Sequence, residues 1–400
     1  MKRIITCQGS IQLIAALSVL AHRGQPEPCQ NYLIIYELYA PGQQHYEFAN
    51  FIRQMAESVC NWDAIVYLAP EQLHAIGHKL DSTRPQQIYT QVHHWIGIDR
   101  ADEIYLSRNW QFTNQLILNA YPSAYRICYG DGIGLYFSEQ SAIVRRPFTP
   151  PPTRDQLLDW TWWKLRSLWH RIRERLKLKT KLYSPPFDIG YFVLPDIFGE
   201  TPPMPSIKLP DSLLLNQFAQ FTSFISEDQI AKIRAIPPNS EISILLTSNF
   251  SEGDRLSQSS EIESYCEFLQ QFESASRSLL IIKPHPRDDP NKIKQLQQLC
   301  TNFYPEVIVL SDANLFFLPF EVFFLKAFSP PYQNIRIFAV SSAFISLHLL
   351  FNISSTIGFG TKQTTKSFDP DFIEARLEHE QTLQTALDRL IALKSEPDML

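Results

Sequence analysis

Short apolar runs alternate with longer amphipathic segments along this chain, and the alternation occurs twice. In the first third, the runs at 3–7, 32–36, 64–68, 104–107 and 125–129 predict strands. The segments at 11–22, 47–60, 70–80 and 109–119 predict the helices between them. The second half repeats the scheme, with strands at 241–247, 278–283, 307–310 and 334–340 and helices at 259–274, 291–300, 316–324 and 343–350. A long helix over 370–394 closes the chain. Short strands separated by longer helices need crossover connections, so each half is expected to build a parallel sheet flanked by helices. At 400 residues the chain is long for one core, and two doubly wound α/β domains are the natural expectation.

Between the halves the composition changes. Prolines crowd 147–152, 185–186, 195, 202–205 and 210, which is linker composition. The expected organisation is a first Rossmann-like domain over 1–150, a linker over 151–210, a second Rossmann-like domain over 211–369 and a C-terminal helix over 370–400. Ligands of such sheets bind at the carboxyl ends of the strands, so a cleft between the two domains is the expected site.

The linker carries an insert over 160–181. It holds Trp160, Trp162, Trp163 and Trp169 together with Lys164, Arg166, Arg171, Arg173, Arg175, Lys177, Lys179 and Lys181, against the single acid Glu174. Trp162, Leu165, Leu168, Trp169, Ile172 and Leu176 share one face at helical spacing. A basic amphipathic helix with tryptophans suits an anionic membrane surface. A helix packed on the first domain with a solvated basic face, or a groove for an acidic polymer, would show the same pattern.

Composition narrows the class. Apolar residues make up 44% and charged residues 19%, as in ordinary globular proteins. A net charge of −5 argues against broad nucleic-acid binding, which needs a basic surface. The six cysteines form no CxxC pair, which reads as reduced thiols in the cytoplasm. The N-terminal apolar run is broken by Gln8, Gly9, Ser10 and Gln12, so a first strand and helix are expected there in place of a signal peptide. No uninterrupted apolar stretch reaches the roughly 18 residues of a membrane span. The expected location is the cytoplasm, peripheral at the inner membrane if the insert binds lipid.

Four constellations carry chemistry. Leu279–Ile282 runs into Lys283-Pro284-His285-Pro286-Arg287. The strand stops at Pro284, and two prolines restrict the histidine backbone. An imidazole at a strand end with a cation on either side suits an anionic leaving group; a turn histidine among charges is the plain alternative. Arg126-Ile127-Cys128-Tyr129-Gly130-Asp131-Gly132-Ile133-Gly134 places a carboxylate between glycines at another strand end. Asp131 suits a general base there, or simply the chemistry of an Asp-Gly turn. Val340-Ser341-Ser342-Ala343 opens a helix after a strand, which suits phosphate binding or ordinary N-capping. Leu318-Pro319-Phe320-Glu321 puts a carboxylate at a helix start, where it would accept ribose hydroxyls or favour the helix dipole. Gln8-Gly9-Ser10, after the first strand, is expected to contact the donor or its sugar from the other domain. His93 and His94 are adjacent and lack a spaced partner, so no metal site is expected.

The order of these motifs resembles that of the bacterial sialyltransferases, and most of all the polysialyltransferase-like group. These enzymes carry an acidic-acidic-Gly motif, then a His-Pro motif, then a Ser/Thr motif. The resemblance implies a GT-B fold over most of the chain, with two Rossmann-like domains facing a central cleft. It implies an inverting, metal-independent transfer of sialic acid from a CMP-activated donor to a glycan or glycolipid hydroxyl, for a surface polysaccharide or capsule. Asp131 is then the base and His285 the group that donates to the departing phosphate. Ser341 and Ser342 hold that phosphate, Glu321 contacts the nucleotide, and Lys283, Pro286, Arg287, Gly9 and Ser10 complete the donor site. This sequence departs from the motif at Gly130, which stands where the first acidic residue is expected. Related transferases using CMP-Kdo or a CDP-polyol carry a similar His-Pro turn. A silent glycan- or nucleotide-binding relative would keep the same fold.

Overall fold

The computed structural model describes residues 1–24, 28–36, 44–130, 179–199, 201–237, 240–271, 277–332 and 334–395. Two parallel sheets carry the fold. The first runs β1 (Lys2–Cys7), β2 (Gln30–Tyr36), β3 (Ala64–Leu68), β4 (Glu103–Leu106), β5 (Tyr125–Cys128), β6 (Ile189–Phe192) and β7 (Ser206–Lys208), in spatial order β3-β2-β1-β4-β5-β6-β7. The second runs β8 (Glu241–Leu246), β9 (Arg277–Lys283), β10 (Glu306–Val309), β11 (Ile335–Ala339) and β12 (Ser354–Ile357), in order β10-β9-β8-β11-β12. Strand order reverses beside β1 in the first sheet and beside β8 in the second, as in a doubly wound fold.

The strands are apolar on both faces because helices cover both faces. Ile4 sits between Tyr32 and Ile104 in the first sheet, and Ile244 between Ile281 and Ile337 in the second. All are buried. Helices Ser10–Arg23, Gln44–Val59, Gln258–Gln270 and Pro290–Cys300 stand close to their expected positions. The expected helix over 316–324 is cut at Pro319 into Ala313–Phe317 and Phe320–Ala327, since proline removes a donor and disfavours helix at the residue before it.

The segment expected to be a linker contributes β6 and β7 to the first sheet. Its prolines flank these strands and leave their interiors clear, so proline density alone did not separate a linker from a short-stranded sheet edge. Helix Pro85–Ile96 was also not foreseen from the pattern.

The two halves pack tightly. Helix Asp211–Gln220 lies on helix Ser10–Arg23. Phe48 stacks on Phe317 at 4.6 Å between ring centres, and Phe51 meets Phe224 edge-on at 5.7 Å. Each such aromatic pair contributes roughly 0.5–1.5 kcal/mol beyond its burial. The closing helix Pro370–Ser395 returns to the first half, where Arg389 Nη1 donates to the Asp196 carbonyl at 2.9 Å. Gly199 makes room for it, because its φ is +90° and a Cβ would lie 2.8 Å from Arg389 Nη2. The result is two Rossmann-like domains facing a cleft, the GT-B arrangement. Among the described residues no helix is long and apolar enough to cross a membrane.

Candidate active site

A cavity of about 380 Å³ opens between the carboxyl ends of β8, β9 and β11 and the start of helix Ser10–Arg23. It sits at the point where the second sheet reverses its strand order, the usual ligand position in open α/β sheets. Ser10, Lys283, His285, Pro286, Glu321, Ser341 and Ser342 all line it. Seven of the residues singled out by sequence, more than 300 positions apart at the extremes, are therefore neighbours. Ser10 closes the gap between domains, its hydroxyl donating to the Phe317 carbonyl at 2.6 Å.

His285 is held from both sides. Its main-chain N–H donates to Asp288 Oδ2 at 2.7 Å and to Thr247 Oγ1 at 2.9 Å. Its ring Nδ1 accepts the main-chain N–H of Arg287 at 3.1 Å. Burial lowers the imidazole pKa to about 3, and the charges of Arg287, Lys292 and Lys283 push the same way. The ring is thus neutral with its proton on Nε2, a hydrogen-bond donor with no proton to release by acid dissociation near neutrality. The Pro286 ring and the tight turn let the Arg287 amide fold back onto the imidazole.

Behind the histidine lies a network around a buried lysine that sequence reading missed, with Asp288 and Glu261 buried and Glu252 at its exposed edge. Lys292 is fully buried, and its ammonium pairs with Asp288 at 2.8 Å, Glu252 at 2.9 Å and Glu261 at 3.1 Å. Burial opposes its charge, but Asp288 and Glu261 outweigh that and raise its pKa. Burial raises the Asp288 pKa to about 6, with Lys292 pulling it back. These three carboxylates are the one group of this kind among the described residues close enough to hold a metal ion. The Lys292 ammonium already stands among them, so the set does not fit an added cation. The available signal was Asp288 four residues before Lys292 across the start of a helix, a spacing that favours pairing.

Other residues differ in detail from their expected placement. Lys283 lines the cavity, yet its ammonium donates to the carbonyls of Leu315 and Phe316 at 2.6 and 2.7 Å. Burial lowers its pKa to about 7, opposed by Glu321 and Asp288. The Lys283 side chain therefore anchors the carboxyl end of the short helix Ala313–Phe317, just before Pro319. The Arg287 side chain is exposed and does not line the cavity; its contribution there is the amide on His285. Gly9 precedes the lining at Ser10, and a Cβ there would meet only Phe48 Cζ at an ordinary 3.7 Å. Glu321 is buried, with a pKa raised by that burial, and accepts a hydrogen bond from the Ser346 hydroxyl. Ser346 is thus a positioning residue that the sequence pattern did not single out.

Ser341 and Ser342 do not cap the following helix with their side chains. That helix starts at Phe344, with Ala343 as its N-cap and no side-chain cap. Both serines lie on the turn ahead of it, where the Ser342 carbonyl accepts the Ile345 N–H at 3.1 Å. Asp131 lies outside the described residues, as does the insert up to residue 178. Gly130, just before Asp131, has φ +81°, a conformation that side-chain-bearing residues rarely adopt. The departure from an acidic residue at this position has a backbone reason.

A sequence model described as "Alpha-2,8-polysialyltransferase (POLYST)" matches residues 3–357, from within β1 to the last residue of β12. No curated relative matches the sequence. Among solved structures, UDP-GlcNAc 2-epimerase from Neisseria meningitidis bound to UDP-GlcNAc is 13% identical, over 96% of this chain and 94% of that one, with a TM-score of 0.47. The UDP-GlcNAc 2-epimerase of Methanocaldococcus jannaschii is 9% identical, over 95% and 92%, with a TM-score of 0.45. The GT-B domain of a Photobacterium damselae sialyltransferase is 12% identical, over 97% and 96%, with a TM-score of 0.36. With the family match spanning every strand of both sheets, and the His-Pro and Ser-Ser turns meeting in one interdomain cavity, this chain belongs to the alpha-2,8-polysialyltransferase family and is a glycosyltransferase.

Proposed function

We propose that this glycosyltransferase moves sialic acid from a CMP-activated donor to a hydroxyl of a glycan or glycolipid acceptor, by single in-line displacement and without a metal. The observation that carries the reading is the cavity itself. It joins Ser10 of the first domain to His285, Glu321, Ser341 and Ser342 of the second, a donor-rich wall beside one buried carboxylate. Such a wall suits a nucleotide monophosphate, with the serines and the His285 Nε2–H on its phosphate oxygens and Glu321 towards its ribose. In the step, the acceptor oxygen forms a bond to the anomeric carbon while the bond from that carbon to the phosphate oxygen breaks. The hydroxyl proton passes to the Asp131 carboxylate, and CMP departs with its charge stabilised by preorganised donors. Attack opposite the leaving group inverts the anomeric configuration. The product is then a surface polysaccharide of capsule type, built from the cytoplasmic side, with the basic insert holding the enzyme at the inner membrane.

Calorimetric titration with CMP, UDP, CDP and GDP in the presence of chelator tests the donor. Selective binding of CMP, lost in Ser342→Ala, is the expected result. Binding of none of the four, or equal binding of all, would remove the CMP assignment.

A further inference from the structure

Beyond Ser341 the structure holds a second cavity of about 200 Å³, which shares Ser248 and Ser341 with the first. Arg255, Arg376 and His379 line it too, with Phe250 on its wall. Arg376 is buried. Its guanidinium lies 4.8 Å from the Phe250 ring centre, 5.8 Å from Phe359 and 5.9 Å from Phe368. Its Nη1 donates to the Val340 carbonyl at 2.9 Å and its Nε to Glu380 Oε1 at 2.9 Å. Nη2 lies 2.8 Å from the same Glu380 oxygen but makes no hydrogen bond.

Glu380 has no capacity to neutralise more. It also accepts the main-chain N–H groups of Phe359 and Gly360, at 2.9 and 3.0 Å. The second guanidinium, Arg255, has no hydrogen bond or ion pair among the described residues, and neither do the hydroxyls of Ser248 and Ser341. Two cations thus face one cavity against one carboxylate, with unsatisfied donors and no carboxylate without a partner on its wall. A buried donor without a partner is costly, and convergent donors on a polar cavity define a site for an acceptor-rich group.

We propose that this second cavity is an oxyanion subsite that holds a carboxylate or phosphate group between the Arg255 and Arg376 guanidiniums and the Ser248 and Ser341 hydroxyls. The inference deepens the donor reading above and rests on it only for the source of the anion. An activated sialic acid carries a phosphate and a carboxylate on one carbon. Ser341, shared by the two cavities, stands where those two groups would part. A free inorganic anion is the other source of the same chemistry.

The test titrates inorganic phosphate into the full-length chain, free and saturated with CMP, and compares wild type with Arg255→Met and Arg255→Lys. Arg255 is only half-buried, so its replacement spares the core, while Arg376 stays native. Phosphate binding to the CMP-saturated chain, weakened about tenfold or more by Arg255→Met and partly restored by Arg255→Lys, is the expected result. CMP-sialic acid separates the sources. If it excludes phosphate and loses more affinity than CMP does in Arg255→Met, the subsite takes the sugar carboxylate. If phosphate binds beside it, the subsite takes a free anion. Phosphate that fails to bind the CMP-saturated chain, with donor affinity unchanged in Arg255→Met, overturns the proposal. Should CMP itself not bind, the donor reading fails separately. The free-chain phosphate titration, read through Arg255→Met, then decides the subsite alone.

Discussion

The ring Nδ1 of His285 accepts the main-chain N–H of Arg287 at 3.1 Å, and this bond decides what the histidine can do. An amide cannot accept in return, so Nδ1 carries no proton and Nε2 carries the only one. With a pKa lowered to about 3, the ring donates a hydrogen bond at neutral pH and does not cycle through imidazolium in the free enzyme. His285→Ala is expected to lower turnover by about 10²-fold or more, and Asp131→Ala by a similar factor, the low end for groups that handle protons or charge in the transition state. Unchanged turnover in either variant removes that residue from the mechanism. The same bond fixes a pH signature. The kcat/KM profile should show no fall on the alkaline side with a midpoint near the ordinary histidine value of 6.5. Such a fall, absent in His285→Asn, would show an imidazolium acid instead.

Stability should depend on pH in the opposite sense from a histidine held by an acid. The pKa values of His285 and His379 are lowered to about 3 and about 4, and that of His348 is also lowered, in each case chiefly by burial. A depressed folded-state pKa gives stability that is complete above the unfolded value and lost as pH falls through the folded one. Asp288, with a pKa raised to about 6, and Glu321, whose pKa burial also raises, work against this trend, because their neutral forms favour the folded state as pH falls. Three histidines stand against two carboxyls, so the melting temperature should fall between pH 7 and pH 5. A higher melting temperature at pH 5 would show that the imidazoles are not held neutral.

The Lys292 network predicts a large stability effect from a residue that lines neither of the two cavities described above. Lys292→Met leaves Asp288, Glu252 and Glu261 without their shared cation, and removing one partner of a buried ion pair costs about 3–5 kcal/mol. Urea unfolding measures it. A loss below about 1 kcal/mol would mean that water or protonation replaces the lysine.

The insert over 160–181 makes a separate prediction. Its deletion should release the chain from anionic liposomes in a flotation assay while CMP affinity is kept. Equal retention of both proteins on the liposomes would assign the tryptophans to packing within the protein.

The alternation of apolar runs and helical segments was enough to give two parallel sheets, because a strand buried on both faces and a helix with one apolar stripe leave few ways to cover each other. The strand-end motifs were legible for a related reason. Proline restricts the backbone locally and glycine permits turns that other residues rarely adopt, so His285 and Gly130 stand at strand tips whatever surrounds them. The edge strands β6 and β7 were not legible, being short and embedded among prolines. Tertiary structure alone decided what each charged group faces. Lys283 and Arg287 flank the same histidine, yet one turns inward onto two carbonyls and the other outward to solvent. Arg255 and Arg376 are 121 positions apart, and only the docking of the closing helix, whose Arg376 donates to the Val340 carbonyl just past β11, brings them to one cavity. Local sequence sets backbone torsions and periodicity. The direction of a long cationic side chain is set by which carbonyls and carboxylates the packed sheets bring within reach.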